Sequence, residues 1–254
     1  MKTSSKLLLI AFLVIILGII IILSVIRSNL YREDFDDYGE NYGETTEEVR
    51  ELDDFSSINA RYGVEVIITQ DTFQMVKVVA DELMLKDIIT DVNNGVLNVY
   101  SKFKYKKKSN FRNRNKVYIT AKNLNDIKAY KGTMVKTKDS LKGEKITLKF
   151  DDGAIGVFEV NLKELDASFN SGASLNIEGK TENANFSAIA GGIIKAHGLK
   201  CVNLDIKVSA GGIINAGEAE IINIHANSGG IVKYNENSKI GEIDINSGAQ
   251  VTKY

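Results

Sequence analysis

From about residue 126 to the end, apolar and polar residues alternate along the chain, and the alternation restarts at a glycine. The marks are Gly132, Gly153, Gly172, Gly191, Gly211, Gly229 and Gly248, at intervals of 21, 19, 19, 20, 18 and 19 residues. Before the mark the later units read Leu165-Ala167-Phe169, Ala184-Phe186-Ala188, Leu204-Ile206-Val208 and Ile222-Ile224-Ala226. After it they read Ala173-Leu175-Ile177, Gly192-Ile194-Ala196, Gly212-Ile214-Ala216 and Gly230-Val232-Tyr234. A period of two on both sides of a glycine predicts two strands joined by a tight turn, with glycine supplying the backbone freedom of the turn. The small residue after each mark is expected to be crowded against its copies in neighbouring units.

A unit of about 19 residues is too short for a propeller blade or a helix pair and fits one coil of a β-helix. The fold class expected is therefore all-β: a parallel β-helix-like solenoid of about seven coils, preceded by a less regular β region. Coils stacked about 4.8 Å apart would rise roughly 34 Å. No single coil can bury its inner face, so the repetition itself makes the core. In the preceding region VEVIIT, VKVVA and VLNVY read as strands, and Asn94-Gly95 marks a type I′ hairpin. ADELMLKDI (80–88) contains at most a short helical turn.

The outward positions carry the candidate function. Asp166, Asn185, Asp205 and Asn223 fall in one row, and Asn170, Ser209 and Asn227 in another. Together they form a candidate ligand face of short polar side chains. Ile193, Ile213 and Ile231 fall two residues after the mark. Either they form an outward apolar stripe, which would be a candidate interface, or a bulge at the corner turns them inward.

Composition changes this picture at the N-terminal side. Residues 7–26, LLLIAFLVIILGIIIILSVI, carry no charge. Twenty residues of helix span about 30 Å, the hydrocarbon thickness of a bilayer. The segment is expected to be an N-terminal transmembrane helix acting as an uncleaved signal anchor. The alternative is a cleaved signal peptide, against which stand the length of the run and the lack of an A-x-A site. The expected organisation is a membrane segment over 1–27, an acidic spacer over 28–54 and an ectodomain over 55–254. The ectodomain would lie outside the cytoplasm, in the periplasm or at the cell surface. The spacer is expected because residues 33–54 hold eleven acids and one arginine. A second charge run, KFKYKKKSNFRNRNK (102–116), has eight bases and no acid. Its Lys104, Lys106, Lys107, Lys108, Arg112 and Arg114 are a candidate anionic-ligand loop, the alternative being a solvated connection between strands. Its interleaved aromatics resemble nucleic-acid surfaces, but an extracytoplasmic location argues against a nucleic-acid partner.

FSSINARYGVEVIITQ, its spacing to VKVVADELMLKDIITDVNNGVLNVY, and the glycine-marked coils resemble the bacterial family called the putative auto-transporter adhesin head GIN domain. The resemblance covers about residues 54–254. It implies a right-handed coil, an exported protein and an adhesive role. It implies no particular binding residues. The chain departs from a common arrangement of the family in having a membrane anchor instead of a lipoprotein cysteine.

Enzyme chemistry finds little purchase. The glycines lack the phosphate-loop patterns and lie between strands rather than before a helix. His197, His225 and Cys201 match no metal-ligand spacing, and one cysteine excludes an intrachain disulfide. Asp151, Asp152, Glu164 and Asp166 are the acids a glycan-cleaving β-helix would use, yet such acids are common in turns and at strand edges. The expectation is a non-enzymatic binding or adhesion module, without cofactor or metal, whose partner is a polysaccharide. The alternative is an envelope structural or signalling module that binds an envelope protein or associates with itself.

Overall fold

The computed structural model describes residues 44–102 and 115–254. The expected membrane segment, most of the spacer and Lys104, Lys106, Lys107, Lys108, Arg112 and Arg114 lie outside the described residues. Among the described residues no helix is long and apolar enough to cross a membrane.

The chain is a β-solenoid. All seven marked glycines have positive φ, between 67° and 77°. The residue before each, Lys131, Asp152, Ser171, Ala190, Ala210, Ser228 or Ser247, is also left-handed. Two successive positive φ values make a type I′ turn. In the 170–173 turn the Ala173 N–H donates to the Asn170 carbonyl at 2.9 Å. The corners are also stitched to one another: the Gly172 N–H donates to the Ala190 carbonyl one coil on (3.3 Å), and Gly191 to Ala210 (3.2 Å). Corner backbone that would otherwise be orphaned is thereby satisfied.

Two ladders of parallel strands run along the solenoid. The ladder before the corner contains β2 (Ser57–Arg61), β6 (Val96–Ser101), β8 (Asp126–Tyr130), β10 (Leu141–Phe150), the later parts of β11 (Ile155–Asn170), β12 (Ser174–Ile189) and β13 (Ile193–Val208), then β15 (Glu218–Ala226) and β17 (Lys239–Ile245). The ladder after it contains β3 (Glu65–Gln70), β7 (Lys116–Ala121), β9 (Met134–Thr137), the first parts of β11, β12 and β13, then β14 (Ile213–Asn215), β16 (Ile231–Tyr234) and β18 (Gln250–Lys253).

Chain order and spatial order part company at the N-terminal end. Tyr62-Gly63 makes an eighth corner of the same kind (φ 64° and 72°). The coil it joins, β2 and β3, lies between the coil of β6 and β7 and that of β8 and β9. Antiparallel strands close this end. Strand β4 (Met75–Asp81) pairs with β7, β1 (Thr45–Arg50) pairs with β4, and β5 (Ile88–Asn93) forms a hairpin with β6 through Asn94-Gly95. A single helical turn, α1 (Glu82–Leu85), links β4 to β5. Thr45–Arg50, expected in the solvated spacer, is thus an edge strand. Its acids do not prevent pairing because they point to solvent or to lysine, as Glu47 does to Lys77 at 2.9 Å.

The inward rows are those the alternation predicts. Ile58, Ile127, Leu148, Ala167, Phe186, Ile206 and Ile224 stack in register and are buried. Volume is balanced within coils: Ala167 accompanies Phe169, and Phe186 accompanies Ala184 and Ala188. Phe150 and Phe169 stack at 4.8 Å. Such complementarity gives a core its crystal-like density. The small residue after the corner is crowded, but against backbone and not against its own copies. A Cβ on Gly192 would lie 1.8 Å from the Phe169 carbonyl oxygen of the preceding coil.

Candidate functional site

The polar rows lie on the outer face of the ladder before the corner. Register places Asp126, Thr147, Asp166, Asn185, Asp205 and Asn223 side by side on successive coils. Acid and amide alternate, so that each amide donates back by one coil. Asn185 Nδ2 donates to Asp166 Oδ1 at 2.7 Å, and Asn223 Nδ2 donates to Asp205 Oδ1 at 2.7 Å. Lys145 Nζ closes the row at Asp166 Oδ2 (2.8 Å) and also meets Glu164 (3.2 Å). Beside this row run Lys149, Ser168, Ser187, Lys207 and His225. The two rows line an open groove of about 450 Å³ whose walls include Thr147, Asp166, Asn185, Asp205 and His225. Four of the candidate ligand residues, Asp166, Asn185, Asp205 and Asn223, are therefore assembled into one row of two hydrogen-bonded pairs.

The other three occupy a different position. Asn170, Ser209 and Asn227 open the corner turns, where their carbonyls accept from Ala173, Gly212 and Gly230 at 2.9 Å. Asparagine and serine suit the first position of such turns, so the backbone alone accounts for these residue types.

Ile193, Ile213 and Ile231 stand in register on the outward side of the second ladder, each half-buried. The inward residues here are Ile194, Ile214 and Val232, which are fully buried. No bulge turns the stripe inward.

The charge run 102–116 has a definite place in the topology. Where Tyr62-Gly63 joins β2 to β3, residues 102–115 join β6 to β7, since Arg61 pairs with Tyr100 and Glu65 with Lys116.

Of the acids considered for catalysis, Glu164 and Asp166 share the ammonium of Lys145, while Asp151 and Asp152 belong to a corner. Asp151 Oδ1 accepts the Asp152 N–H at 2.9 Å within a corner. Burial pulls the Asp166 carboxyl upward, but hydrogen bonds from Lys145 and Asn185 outweigh it and hold the carboxyl below its ordinary pKa. An acid held ionised in this way is a hydrogen-bond acceptor and a poor proton donor. The histidines and the cysteine are apart as well. The His197 ring meets Tyr254 edge-on at 4.9 Å, His225 lines the groove, and Cys201 is buried with its thiol directed at the Glu218 carbonyl.

Sequence reasoning did not single out a cluster at the N-terminal end of the same face, formed by Arg61, Tyr62, Tyr100, Tyr130 and Lys131. The Tyr-Gly pair at 62–63, matching the left-handed residue and glycine of the later corners, was the available signal.

Among curated proteins, none matches this chain by sequence. Solved structures do match in fold. A "putative adhesin" from Bacteroides fragilis superposes with a TM-score of 0.72 at 18% identity, over 83% of this chain and 97% of the other. A "putative lipid binding protein" from Parabacteroides distasonis gives 0.63 at 17% identity, over 84% and 97%. A "putative adhesin" from the same species gives 0.63 at 20% identity, over 84% and 98%. Likeness at these identities carries the fold and leaves function to the site. The family model described as "Putative auto-transporter adhesin, head GIN domain" matches residues 54–238, the strands of the described solenoid up to the last coil, and the chain belongs to that family.

Proposed function

We propose that the protein is an extracytoplasmic binding module of adhesin type, held to the membrane by residues 7–26, which binds a polysaccharide along the groove of the first ladder. The acid–amide row carries this reading. It presents fixed donors and acceptors at the spacing of the coils, about 4.8 Å, and a repeating ligand can meet a repeating face in one register. Short side chains, already oriented by bonds such as Asn185 to Asp166, lose little freedom on binding. Membership of an adhesin-named family agrees with it. What favours binding over catalysis is Asp166, whose charge is committed to Lys145 and Asn185.

The test is calorimetric titration of the full-length protein with bacterial and host oligosaccharides at low and moderate salt. Ser187→Trp fills the groove from an outward position. Saturable binding that this change removes, with the melting temperature unchanged, is the expected result. Binding that survives it refutes the groove. A steep loss of affinity with salt would assign part of the binding to Lys104, Lys106, Lys107, Lys108, Arg112 and Arg114.

The Ile193–Ile213–Ile231 stripe favours a second reading, an envelope module that binds a copy of itself or an envelope protein. Sedimentation of the triple isoleucine-to-serine variant tests it. The wild type should form a defined oligomer and the variant should not.

A further inference from the structure

We propose that the Arg61–Tyr62–Tyr100–Tyr130–Lys131 cluster is a binding site for the carboxylate-bearing sugar of an acidic polysaccharide. The inference rests on the reading of this face as polysaccharide-binding, and it names the ligand chemistry at its N-terminal end.

Strand β2 sets Arg61 in register between Tyr100 of β6 and Tyr130 of β8. The guanidinium lies 4.6 Å from the Tyr100 ring centre and 5.8 Å from that of Tyr62. Lys131, one coil on at the corner, places its ammonium 4.8 Å from the Tyr62 ring centre. Two cations and two phenol rings thus meet on the outer surface, with Tyr130 next in register. Cation–π contacts hold this geometry without neutralising it.

The cations lack counter-charges. Neighbouring lysines are paired: Lys128 with Asp126 at 2.7 Å, Lys136 with Glu65 at 2.6 Å. Among the described residues neither Arg61 nor Lys131 has a carboxylate within ion-pair distance. Among the described residues, Arg61 Nε is buried and has no hydrogen-bond partner. A buried donor left unmade is a cost that native proteins seldom carry without a reason.

Tyr62 is the second observation. Its φ is +64°, a conformation that bulky side chains rarely adopt. The other seven corners fill this position with lysine, aspartate, serine or alanine. Tyr62 is 42% exposed, so part of its ring is open to a ligand. An aromatic ring at this corner alone, partly exposed and beside two cations, points to a function for the side chain.

The chemistry selects the ligand. An arginine fork and an ammonium match a carboxylate. An exposed phenol face matches the C–H face of a sugar ring, with the hydroxyl as a polar handle. A neutral sugar would leave the cations unmatched, and a small bare anion would leave the rings unused. A uronic acid residue satisfies both.

The test is titration of the full-length protein with the hexamer of galacturonic acid and with its methyl ester, which keeps the ring and removes the charge. The hexamer should bind and the ester at least tenfold more weakly. Tyr62→Gly, which keeps the left-handed corner and removes the ring, should weaken hexamer binding at least tenfold with the fold retained in circular dichroism. Lys131→Gln should weaken binding with the melting temperature unchanged. A cluster with a purely structural role would leave binding untouched by both changes, and that result overturns the proposal. So does equal binding of hexamer and ester. Binding that survives Tyr62→Gly and Lys131→Gln but is lost in Ser187→Trp removes this site and leaves the groove standing. Binding of no oligosaccharide at all removes both.

Discussion

Two adjacent glycines should respond to the same substitution for different reasons and by different amounts. Gly191 has φ +77° and open space around it: an added Cβ meets nothing nearer than the Gly172 nitrogen at 4.0 Å. Gly191→Ala therefore carries only the left-handed penalty, about 1–2 kcal/mol. At Gly192 no positive φ is required, but an added Cβ would stand 1.8 Å from the Phe169 carbonyl oxygen and 2.6 Å from its carbon. Real Cβ contacts essentially never fall below 3.0 Å. The corner would have to retreat by more than an ångström from backbone that cannot rotate away. Three hydrogen bonds hold it there: Gly192 to the Ile189 carbonyl (3.0 Å), Ile213 to the Gly192 carbonyl (2.9 Å) and Ile193 to the Ala173 carbonyl (2.9 Å). At a net value of about 1 kcal/mol each, their disruption costs at least about 3 kcal/mol.

The measurement is urea unfolding followed by far-ultraviolet circular dichroism, comparing midpoints at constant slope. Gly192→Ala should lose at least about 1 kcal/mol more stability than Gly191→Ala. The position itself does not demand glycine, since Ala154 and Ala173 occupy it, fully buried, in earlier coils. What differs is the approach of the preceding carbonyl, which at Gly212 is again close, 2.1 Å from a built Cβ to the Ala188 oxygen. Equal losses at 191 and 192 would refute the argument that backbone approach sets this residue.

Two further outcomes follow from protonation. Asp166 has its folded pKa below the ordinary value, so its stabilisation is present above about pH 4 and is lost as pH falls through the depressed value. Asp166→Asn should lower stability at pH 7 by less than about 1 kcal/mol, given its partial exposure, and the gap in melting temperature should close in acid; a gap that persists at pH 2 contradicts the assignment. Burial pushes the Cys201 thiol up to about 12, so folding stability should decline as pH rises from about 8.5, the unfolded value, toward the folded one. A thiol reagent at pH 8 should label Cys201 only in denaturant, and rapid labelling of the native protein would contradict its burial.

The corners were legible because a type I′ turn demands left-handed backbone at a fixed place in each coil, and glycine records that demand in the sequence. The inward rows were legible because a strand exposes alternate residues to one side. Other features leave no periodic trace. The coil built by β2 and β3 is separated from its neighbour in space by the whole excursion from Asp71 to Asn125, so spacing along the chain could not reveal the eighth corner. A second slip of the alternation was also missed. Lys163 and Glu164 are both exposed, as are Glu182 and Asn183, where the long strands change face. No glycine marks that bend, and charged or amide residues tolerate it silently. Of the site, the acid–amide row was readable as a row, while the pairing of Asn185 with Asp166 needed the register.

Corner, core and outer face answer to separate constraints in this fold. Inward rows must fill the core without gaps, so large and small residues offset one another within a coil, as Ala167 with Phe169 and Phe186 with Ala188 do. Corners must accept left-handed backbone. Outward rows are bound by neither rule, which leaves the sequence of that face free to encode a ligand at no expense to the coil. Ser187→Trp exploits this separation, and the melting temperature is the control that proves it. Tyr62 is where the separation fails. It belongs at once to a corner, where glycine, asparagine or a small residue would fit better, and to the outer face, where its ring meets Arg61 and Lys131. What sets Tyr62 apart from the residues at the other corners is its aromatic ring beside two cations, and Tyr62→Gly tests that ring by removing it while the left-handed corner is kept.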